Sequence, residues 1–146
     1  NLPKKVSGDL LDFGCGAGVI ASYYGKTFPS TNLHLLDVSA LALYSAQETL
    51  KLNNLTGQIF PSNSLSDVNG KYDYVISNPP FHQGLKTNYQ ATETFLSKIK
   101  RHLKPRGQVI VVANSFLRYQ PIMEEEIGRT QVLAKKKGFS LYHCSI

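Results

Sequence analysis

Asn78, Pro79, Pro80 and Phe81 form a short motif whose residue types could hold a planar amino group. The motif follows a β-type run at residues 72–76. Two consecutive prolines fix φ and lack N–H donors, so the Asn78 side-chain oxygen and the Pro79 carbonyl can both accept hydrogen bonds from an –NH2 group. The ring that carries the amine could stack on Phe81, a contact worth roughly 1–3 kcal/mol per base in nucleic-acid binders. A proline-rich turn beside a core phenylalanine explains Pro-Pro-Phe equally well, so the motif needs a second signal.

The second signal is a glycine loop at Gly14, Gly16 and Gly18, between a predicted strand at residues 9–13 and a predicted helix. Glycine lets the backbone approach a ligand closely, and the helix that follows presents unpaired N–H groups in its first turn. The dinucleotide-binding fingerprint needs a glycine where this chain has Val19, and a Walker loop would end in Gly-Lys-Ser/Thr, which this loop lacks. The loop therefore favours neither NAD nor ATP.

Two acids near this loop suit different parts of a cofactor. Asp12 precedes the first glycine and fits a ligand with positive charge, such as the ammonium and sulfonium of S-adenosylmethionine, better than a pyrophosphate. Asp37 ends the next predicted strand, 33–37, about where an α/β nucleotide site places an acid on the ribose hydroxyls. Asp37 could also cap the helix that starts near residues 39–40, a role that does not exclude ribose binding. Asn63 could read the adenine amino edge, although asparagine is also common in turns.

The order of these motifs resembles that of the class I methyltransferases that use S-adenosylmethionine: acid-x-Gly-x-Gly-x-Gly, strand-end acid, then Asn-Pro-Pro-aromatic. Within that class, Asn-Pro-Pro-Phe-His at 78–82 and the segment 113–119 are similar to the bacterial ribosomal RNA guanine-N2 methyltransferases, most closely those of the small subunit. That family implies a tandem duplication whose second half binds cofactor and catalyses, and this chain resembles the second half. We therefore expect residues 1–146 to be one S-adenosylmethionine-binding methyltransferase domain, the C-terminal half of a longer protein. One departure is Arg118, where the family more often has proline.

The resemblance also implies a role for each candidate residue. S-adenosylmethionine would be the cofactor, bound by Asp12, Gly14, Gly16, Gly18, Asp37, Val38 and Asn63. Methyl transfer to the exocyclic N2 of a guanine would depend on Asn78, Pro79 and Phe81. The substrate side would comprise Pro80, His82, Lys86, Asn114 and Arg118. Lys86 and Arg118 fall in loops from which they could reach RNA phosphates. His82 could accept a proton or bond the base, and no metal site is expected.

Predicted strands and helices alternate along the chain, which is typical of a parallel sheet covered on both faces. We expect an α/β fold: a Rossmann-like class I methyltransferase sheet of seven strands, mostly parallel, with one antiparallel strand from a C-terminal hairpin. Predicted helices lie at 19–26, 40–52, 89–103 and around 122–127. The remaining predicted strands lie at 59–60, 108–112, 131–135 and 140–143. Proline and glycine at 104–107 should end the third helix, and the link at 135–138 should form the hairpin. Ligands of such sheets bind at the carboxyl ends of the strands.

Composition narrows the class of partner. The formal net charge is +6, with cations clustered at 98–106 and 135–137, which favours a polyanion. The first cluster could instead complement a helix dipole, at roughly 0.3–1 kcal/mol per cation. The apolar content of 42% suffices for one buried core, and the sequence shows neither an apolar run of membrane-spanning length nor a signal pattern. We expect a monomer in the reducing cytoplasm, acting on ribosomal RNA that is free or assembled in the small subunit, with no membrane contact.

Three alternatives stay open. Methylation of adenine N6, or of a protein glutamine amide, would use the same hold on an amine, although those enzymes more often carry tyrosine after the prolines; Phe81 and His82 favour guanine. A catalytically silent domain could bind RNA alone, but the intact glycines, Asp37 and Asn78 argue against it. An NAD-dependent reductase would leave the Asn-Pro-Pro-Phe motif without a role.

Overall fold

β-Strands and α-helices alternate along the chain in the computed structural model, which describes residues 8–62, 65, 68–78, 93–114, 119–136 and 138–146. The strands are β1 Gly8–Phe13, β2 Thr31–Asp37, β3 Gln58–Pro61, β4 Tyr72–Ser77, β5 Leu103–Asn114, β6 Thr130–Lys136 and β7 Phe139–Ser145. The helices are α1 Val19–Thr27, α2 Ala40–Leu52, α3 described over 93–98, and α4 Tyr119–Glu126. A 3-10 turn, Ile99–His102, leads from α3 into β5.

The described strands form one sheet of seven in the order β3-β2-β1-β4-β5-β7-β6. β1 to β5 pair in parallel, and β7 is antiparallel to both of its neighbours, so β6 runs parallel to β5. The order of successive strands reverses between β1 and β4. Such a reversal opens a crevice at the carboxyl ends of the strands, where α/β proteins bind ligands. The predicted α/β class with a single antiparallel strand is confirmed.

Consecutive apolar residues on the central strands, which point to the two faces in turn, build two cores, one on each face of the sheet. Leu10 and Leu11 on β1 are both fully buried but point to opposite faces, as neighbouring strand residues must. One core receives Ala21 and Tyr24 from α1 and Ala46 and Leu50 from α2. The other core receives residues of α3 and α4, namely Phe95, Leu96, Tyr119 and Met123. Helices therefore cover both faces, and both faces of β1 are closed to solvent.

The predicted element bounds hold for α2 and shift slightly elsewhere. α1 is one residue longer than predicted, and α4 starts at Tyr119 rather than near Ile122, since Tyr119 and Met123 share the buried side of that helix. Residues 89–92 of the third predicted helix lie outside the described residues. No helix among those described is long and apolar enough to cross a membrane.

The segment 104–107 follows the end of the third helix, as predicted, but it belongs to a strand whose start was predicted only at residue 108. β5 already starts at Leu103 and passes through the segment as an irregularity, with the register shifting between the Tyr72–Leu103 and Tyr74–Gln108 pairs. Arg106 takes a left-handed backbone conformation there, with φ of 66°. An extra stretch in one strand is the usual way for a sheet to absorb residues that cannot join the ladder, such as a proline without an N–H.

Lys104 ties this irregular segment to two other strands. Its Nζ lies 2.6 Å from Asp9 Oδ2 and 3.0 Å from Asp73 Oδ2, which joins the amino ends of β5, β1 and β4. The hydrogen bond from Lys104, followed by one from Asn32, lowers the pKa of Asp9. The same hydrogen bonds to the two aspartates raise the pKa of Lys104. This cation is therefore part of the fold.

Replacing Lys104 with methionine should lower the free energy of unfolding by about 1 kcal/mol at neutral pH, because two carboxylates lose a shared partner at a partly exposed site. Lys100→Met is the matched control, since Lys100 is exposed and has no ion pair among the described residues. Urea unfolding measures both. Because the folded-state pKa of Asp9 is lowered, the difference should persist above pH 4 and shrink as the pH falls through the folded-state pKa. Equal losses in the two variants would contradict the assignment.

Candidate functional site

The carboxyl ends of three adjacent parallel strands bring Asp12, Asp37 and Asn78 to one edge of the sheet. Asp12 on β1 is aligned with Leu35 of β2 on one side and Ile76 of β4 on the other. Asp37 is the last residue of β2, and Asn78 directly follows β4. Since neighbouring strands lie about 4.8 Å apart, the Asp37 and Asn78 backbones flank β1 at roughly 10 Å from each other. The structure therefore gathers three of the predicted residues at the reversal in strand order.

The glycine loop folds back onto the end of β2. The N–H groups of Gly14 and Cys15 both donate to the Leu36 carbonyl at 2.9 Å, and the Gly16 N–H donates to Asp37 Oδ2 at 3.0 Å. These bonds fix the loop relative to the strand that carries Asp37. Sequence reasoning placed the loop and Asp37 in one site, but it missed this direct bond between them.

The three loop glycines serve two different needs. All three have positive φ, and a Cβ added to Gly14 or Gly16 would meet nothing within 4 Å. A Cβ on Gly18 would lie 3.2 Å from both the Cα of Ala46 and the side chain of Leu35. Gly14 and Gly16 therefore leave open space at the loop surface, where a ligand could lie against the backbone. Gly18 lets the start of α1 pack against α2 and β2, which is a structural reason for a residue that was predicted to bind cofactor.

Asp12 is a buried acid with an incomplete set of partners. It is 2% exposed, and within the described part of the chain its Oδ2 atom has no hydrogen-bond partner. Burial raises the pKa of Asp12 to about 7; the charge of Asp37 adds to this, and a hydrogen bond from the backbone of Ala21 in the first turn of α1 opposes it. A half-satisfied buried carboxylate is costly unless a positive group lies beside it. The site therefore favours a cationic ligand group at Asp12, such as an ammonium.

Asp37 already accepts two backbone hydrogen bonds. Gly16 N–H donates to Oδ2, and Ser39 N–H donates to Oδ1, each at 3.0 Å. The cap of α2 is Ser39, whose Oγ accepts from Ala42 N–H at 3.2 Å, so the capping role considered for Asp37 is wrong. A carboxylate offers about four lone-pair positions, which leaves both oxygens of Asp37 able to accept from hydroxyl groups. Val38 beside it is 66% exposed and presents an apolar surface at the same edge.

Asn78 is exposed at the end of β4, and the preceding Ser77 is buried. Within the described residues Ser77 Oγ has no hydrogen-bond partner. Asn114 ends β5 on the neighbouring strand, and its backbone belongs to the same edge. The other predicted site residues lie outside the described residues: Asn63, Pro79, Pro80, Phe81, His82, Lys86 and Arg118. The structure thus positions Asn78 and leaves the rest of its motif as a prediction.

Cys15 lies in the glycine loop but is poorly suited to act as a nucleophile. Burial, with smaller contributions from the charges of Asp12 and Asp37, raises the pKa of its thiol to about 12. A thiol is reactive only as the thiolate, so Cys15 stays inert at neutral pH. Among the described residues, no group of three or more histidine, cysteine, aspartate or glutamate side chains could hold a metal ion.

Comparison with known proteins gives matches to methyltransferases. A family model described as "Methyltransferase small domain" matches residues 1–143. The ribosomal RNA small subunit methyltransferase C of Colwellia psychrerythraea is 63% identical over 146 residues, covering 100% of this chain and 41% of that protein. The protein of the same name from Aeromonas hydrophila is 50% identical over 137 residues, covering 94% of this chain and 40% of that protein. The chain thus spans about two-fifths of the length of these relatives.

A solved structure has the same architecture. The T. thermophilus 16S rRNA N2 methyltransferase in complex with AdoMet and guanosine superposes with a TM-score of 0.82 at 25% identity, covering 94% of this chain and 37% of that one. A methyltransferase from Pyrococcus furiosus has a TM-score of 0.84 at 18% identity, with 98% and 77% covered, and supports the fold alone. Together with the curated relatives, these matches confirm the resemblance that the motifs indicated.

The buried, half-satisfied carboxyl of Asp12 predicts an unusual pH dependence of the free energy of unfolding. Its pKa is raised from 3.8 to about 7 in the folded chain, so the folded state binds its proton more tightly than the unfolded state does. Its contribution to the free energy of unfolding should therefore fall as the pH rises from about 4 to about 7. Asp12→Asn removes this loss and should be more stable than the parent above pH 7 by about 2–4 kcal/mol.

Urea unfolding of parent and variant between pH 5 and pH 8 measures this difference. Half-buried histidines contribute equally to both curves, so the difference between the curves isolates Asp12. Glu125→Gln is the control, because Glu125 is an exposed acid on α4 and its variant should follow the parent. A difference between Asp12→Asn and the parent that does not change with pH would contradict a buried, poorly paired Asp12.

Proposed function

Since the chain belongs to the methyltransferase small domain family, we propose that it transfers a methyl group from S-adenosylmethionine to the exocyclic N2 of a guanine in small-subunit ribosomal RNA. The observation that carries the proposal is the buried, half-satisfied carboxyl of Asp12 beside an open glycine loop, on the same sheet edge as Asn78. The names of the curated relatives support ribosomal RNA of the small subunit as the substrate, and the AdoMet and guanosine in the T. thermophilus structure support both ligands.

The cofactor half of the site lies at the ends of β1 and β2. Asp12 would pair with the ammonium of the methionine part, which would supply the positive charge that its buried carboxyl lacks. Asp37 would accept from the ribose hydroxyls with the lone pairs that Gly16 and Ser39 leave available. Gly14 and Gly16 would let the backbone lie against the cofactor, with Gly18 holding α1 in place. Val38 would contact the adenine, whose amino edge Asn63 would read.

The substrate half follows β4. Asn78 would accept a hydrogen bond from the guanine amino group, together with the carbonyl of Pro79, while the base stacks on Phe81. Accepting both amine hydrogens favours a pyramidal nitrogen, whose lone pair is then less delocalised into the ring and is better directed for attack. Pro80, His82, Lys86, Asn114 and Arg118 would complete this half around the base and its neighbouring phosphates.

The chemistry needs little beyond positioning. S-adenosylmethionine, when bound, supplies an electrophilic methyl group on a positively charged sulfur. The residues of the chain hold the amine in line with it and exclude water, which accounts for a large part of the rate of such transfers. No covalent enzyme intermediate is required, in keeping with the inert thiol of Cys15. The amine becomes strongly acidic once methylated and can lose its proton to water, so a dedicated base is optional.

The wider biological setting follows from the substrate. Ribosomal RNA, free or assembled into the small subunit, would place the reaction in the cytoplasm, with this chain acting as one monomeric domain of a longer protein. Adenine N6 and glutamine amides could be held in the same way, but the T. thermophilus N2 methyltransferase, which was solved with guanosine, supports guanine.

Asp37→Ala should weaken binding of S-adenosylmethionine by about 30- to 150-fold, because losing a pair of ribose hydrogen bonds costs on the order of 2–3 kcal/mol. Isothermal titration calorimetry measures the affinity, and a melting curve shows whether the glycine loop still folds. Asp37→Asn keeps one acceptor oxygen and should fall between the alanine variant and the parent. If all three bind the cofactor equally well, Asp37 does not contact the ribose.

Asn78→Ala should lower the rate of methyl transfer about 100-fold or more, as loss of one preorganised polar partner does in other enzymes, while cofactor affinity stays within about twofold. Tritiated methyl transfer to small ribosomal subunits from cells that lack the modification, followed by nucleoside analysis, gives the rate and the base. Asn69→Ala is the control, since Asn69 is an exposed asparagine at the opposite end of β4. Near-parental turnover by the Asn78 variant would remove the amine-holding model.

A further inference from the structure

Two clusters of positive charge among the described residues lie at opposite ends of the parallel strands. The larger cluster comprises Lys98, Lys100, Arg101, Lys104 and Arg106, around the end of α3 and the start of β5. His102 in the same turn bonds the Gly70 carbonyl just before β4, which places this cluster at the amino ends of the strands. The candidate site is at the carboxyl ends, and β5 from Gln108 to Asn114 spans roughly 20 Å between the two edges. The larger cluster is therefore remote from the site.

Lys135 and Lys136 lie on the same edge as the site. Lys136 pairs with Phe139, which pairs in turn with Asn114 at the end of β5. Lys135 lies one row earlier, level with Ser140 and Ala113. The sequence predicted a hairpin link at 135–138. In the structure the two lysines are instead the last two residues of β6, and both are exposed. β6 lies three strand positions from β4 in the sheet. At about 4.8 Å per strand, the lateral distance from the Asn78 backbone to that of Lys136 is roughly 14 Å.

The charge of these two lysines is not neutralised within the described residues. The ion pairs found there belong to Lys104, with Asp9 and Asp73. The acids of the neighbouring helix α4, residues 124–126, lie at its carboxyl end, just before β6 begins at Thr130. They therefore sit at the far end of β6 from the lysines. The lysine end of the hairpin presents positive charge at the site edge with no described acid against it.

Protection of an exposed sheet edge does not account for this placement. Lysines on edge strands commonly prevent pairing with another chain, and β6 is an edge strand. β6, however, already carries a register shift between Val132 and Ala134, which disrupts the middle of its exposed edge, and residues 130–134 are uncharged. Both charges are at one end of the strand, the end next to the site.

We propose that the Lys135–Lys136 end of the β6–β7 hairpin contacts the phosphate backbone of the RNA substrate, beside the nucleotide held at Asn78. The proposal rests on the proposed function and adds the surface that orients the RNA. Phosphate contacts fix register without reading sequence, so two lysines about 14 Å to one side of the site would align the strand that carries the target base. The larger cluster at the opposite edge plays no part in this contact.

Salt dependence of RNA binding tests the proposal. Each phosphate contact contributes about 0.7 to the slope of log affinity against log salt for single strands. The double variant Lys135→Gln/Lys136→Gln should lower that slope by about 1.4 and weaken binding of a labelled small-subunit rRNA transcript about 10- to 30-fold near 0.1 M salt. The variant Lys135→Arg/Lys136→Arg keeps the charge and should retain the parental slope. In methyl transfer, the glutamine variant should raise KM for RNA and leave kcat near the parental value.

Lys100→Gln/Arg101→Gln is the matched control, because it removes two exposed cations from the opposite edge. A parental slope in the hairpin variant, or a larger slope change in the control, would overturn the hairpin assignment while leaving the proposed function intact. A parent chain that binds S-adenosylmethionine but neither binds nor methylates the RNA would overturn the proposed function and this proposal together. Cofactor titration of every variant establishes that its site still folds.

Discussion

The burial of one carboxyl group, that of Asp12, is the constraint on which the rest of the site depends. Asp12 sits in the middle of the sheet on a strand covered on both faces, and the Ala21 backbone in the first turn of α1 supplies one hydrogen bond. A single bond is too little to hold an ionised carboxylate in such a place, which is why its pKa is displaced to about 7. The interaction that Asp12 lacks is with a cationic group beside its Oδ2 atom. A ligand that carries an ammonium would supply this group, whereas a pyrophosphate would add further negative charge beside Asp12 and Asp37.

The order of successive strands reverses between β1 and β4, so that β2 and β4 flank β1. The candidate site therefore has two halves, one on each side of the end of β1. Strands on one side of β1 carry Asp37 and the exposed Val38, which suit a nucleoside. The strand on the other side ends at Asn78, which suits an amine. The glycine loop lies between them and is bonded to the β2 side through Leu36 and Asp37. In the proposed function, a donor and an acceptor of a group would thereby be held on opposite flanks of the same central strand, which is the arrangement that transfer between two bound molecules requires.

Local sequence signals predicted most of the fold because the relevant physics is local. Runs of apolar residues predicted the buried strands, and the glycines at 14, 16 and 18 predicted the loop after β1. The bounds of α2 likewise follow from side-chain periodicity. What failed depends on partners far along the chain. The sequence placed Lys104 in a basic cluster that would contact a polyanion or complement a helix dipole, but its partners Asp9 and Asp73 are 95 and 31 residues away. Asp37 was predicted to bind ribose, with capping as a compatible second role, yet its oxygens accept from the N–H groups of Gly16 and Ser39, and only the fold brings Gly16 close. The positions of the acids and glycines of the candidate site were predictable from their spacing in the sequence. The hydrogen bonds that join the glycine loop to the end of β2 were not.

The distribution of positive charge over the surface was also not predictable from the sequence. A net charge of +6 indicates attraction to a polyanion but says nothing about which surface attracts it. In the sequence, the longer basic cluster at 98–106 is the stronger signal. In the structure, its members lie at the amino ends of the strands, and Lys104 is committed to two aspartates. The two lysines at the end of β6 are the weaker signal, but β6 runs parallel to β5, so it ends at the same edge of the sheet as the other parallel strands. The direction of β6 therefore has a consequence beyond topology: it determines which of the described positive charges lie near the candidate site.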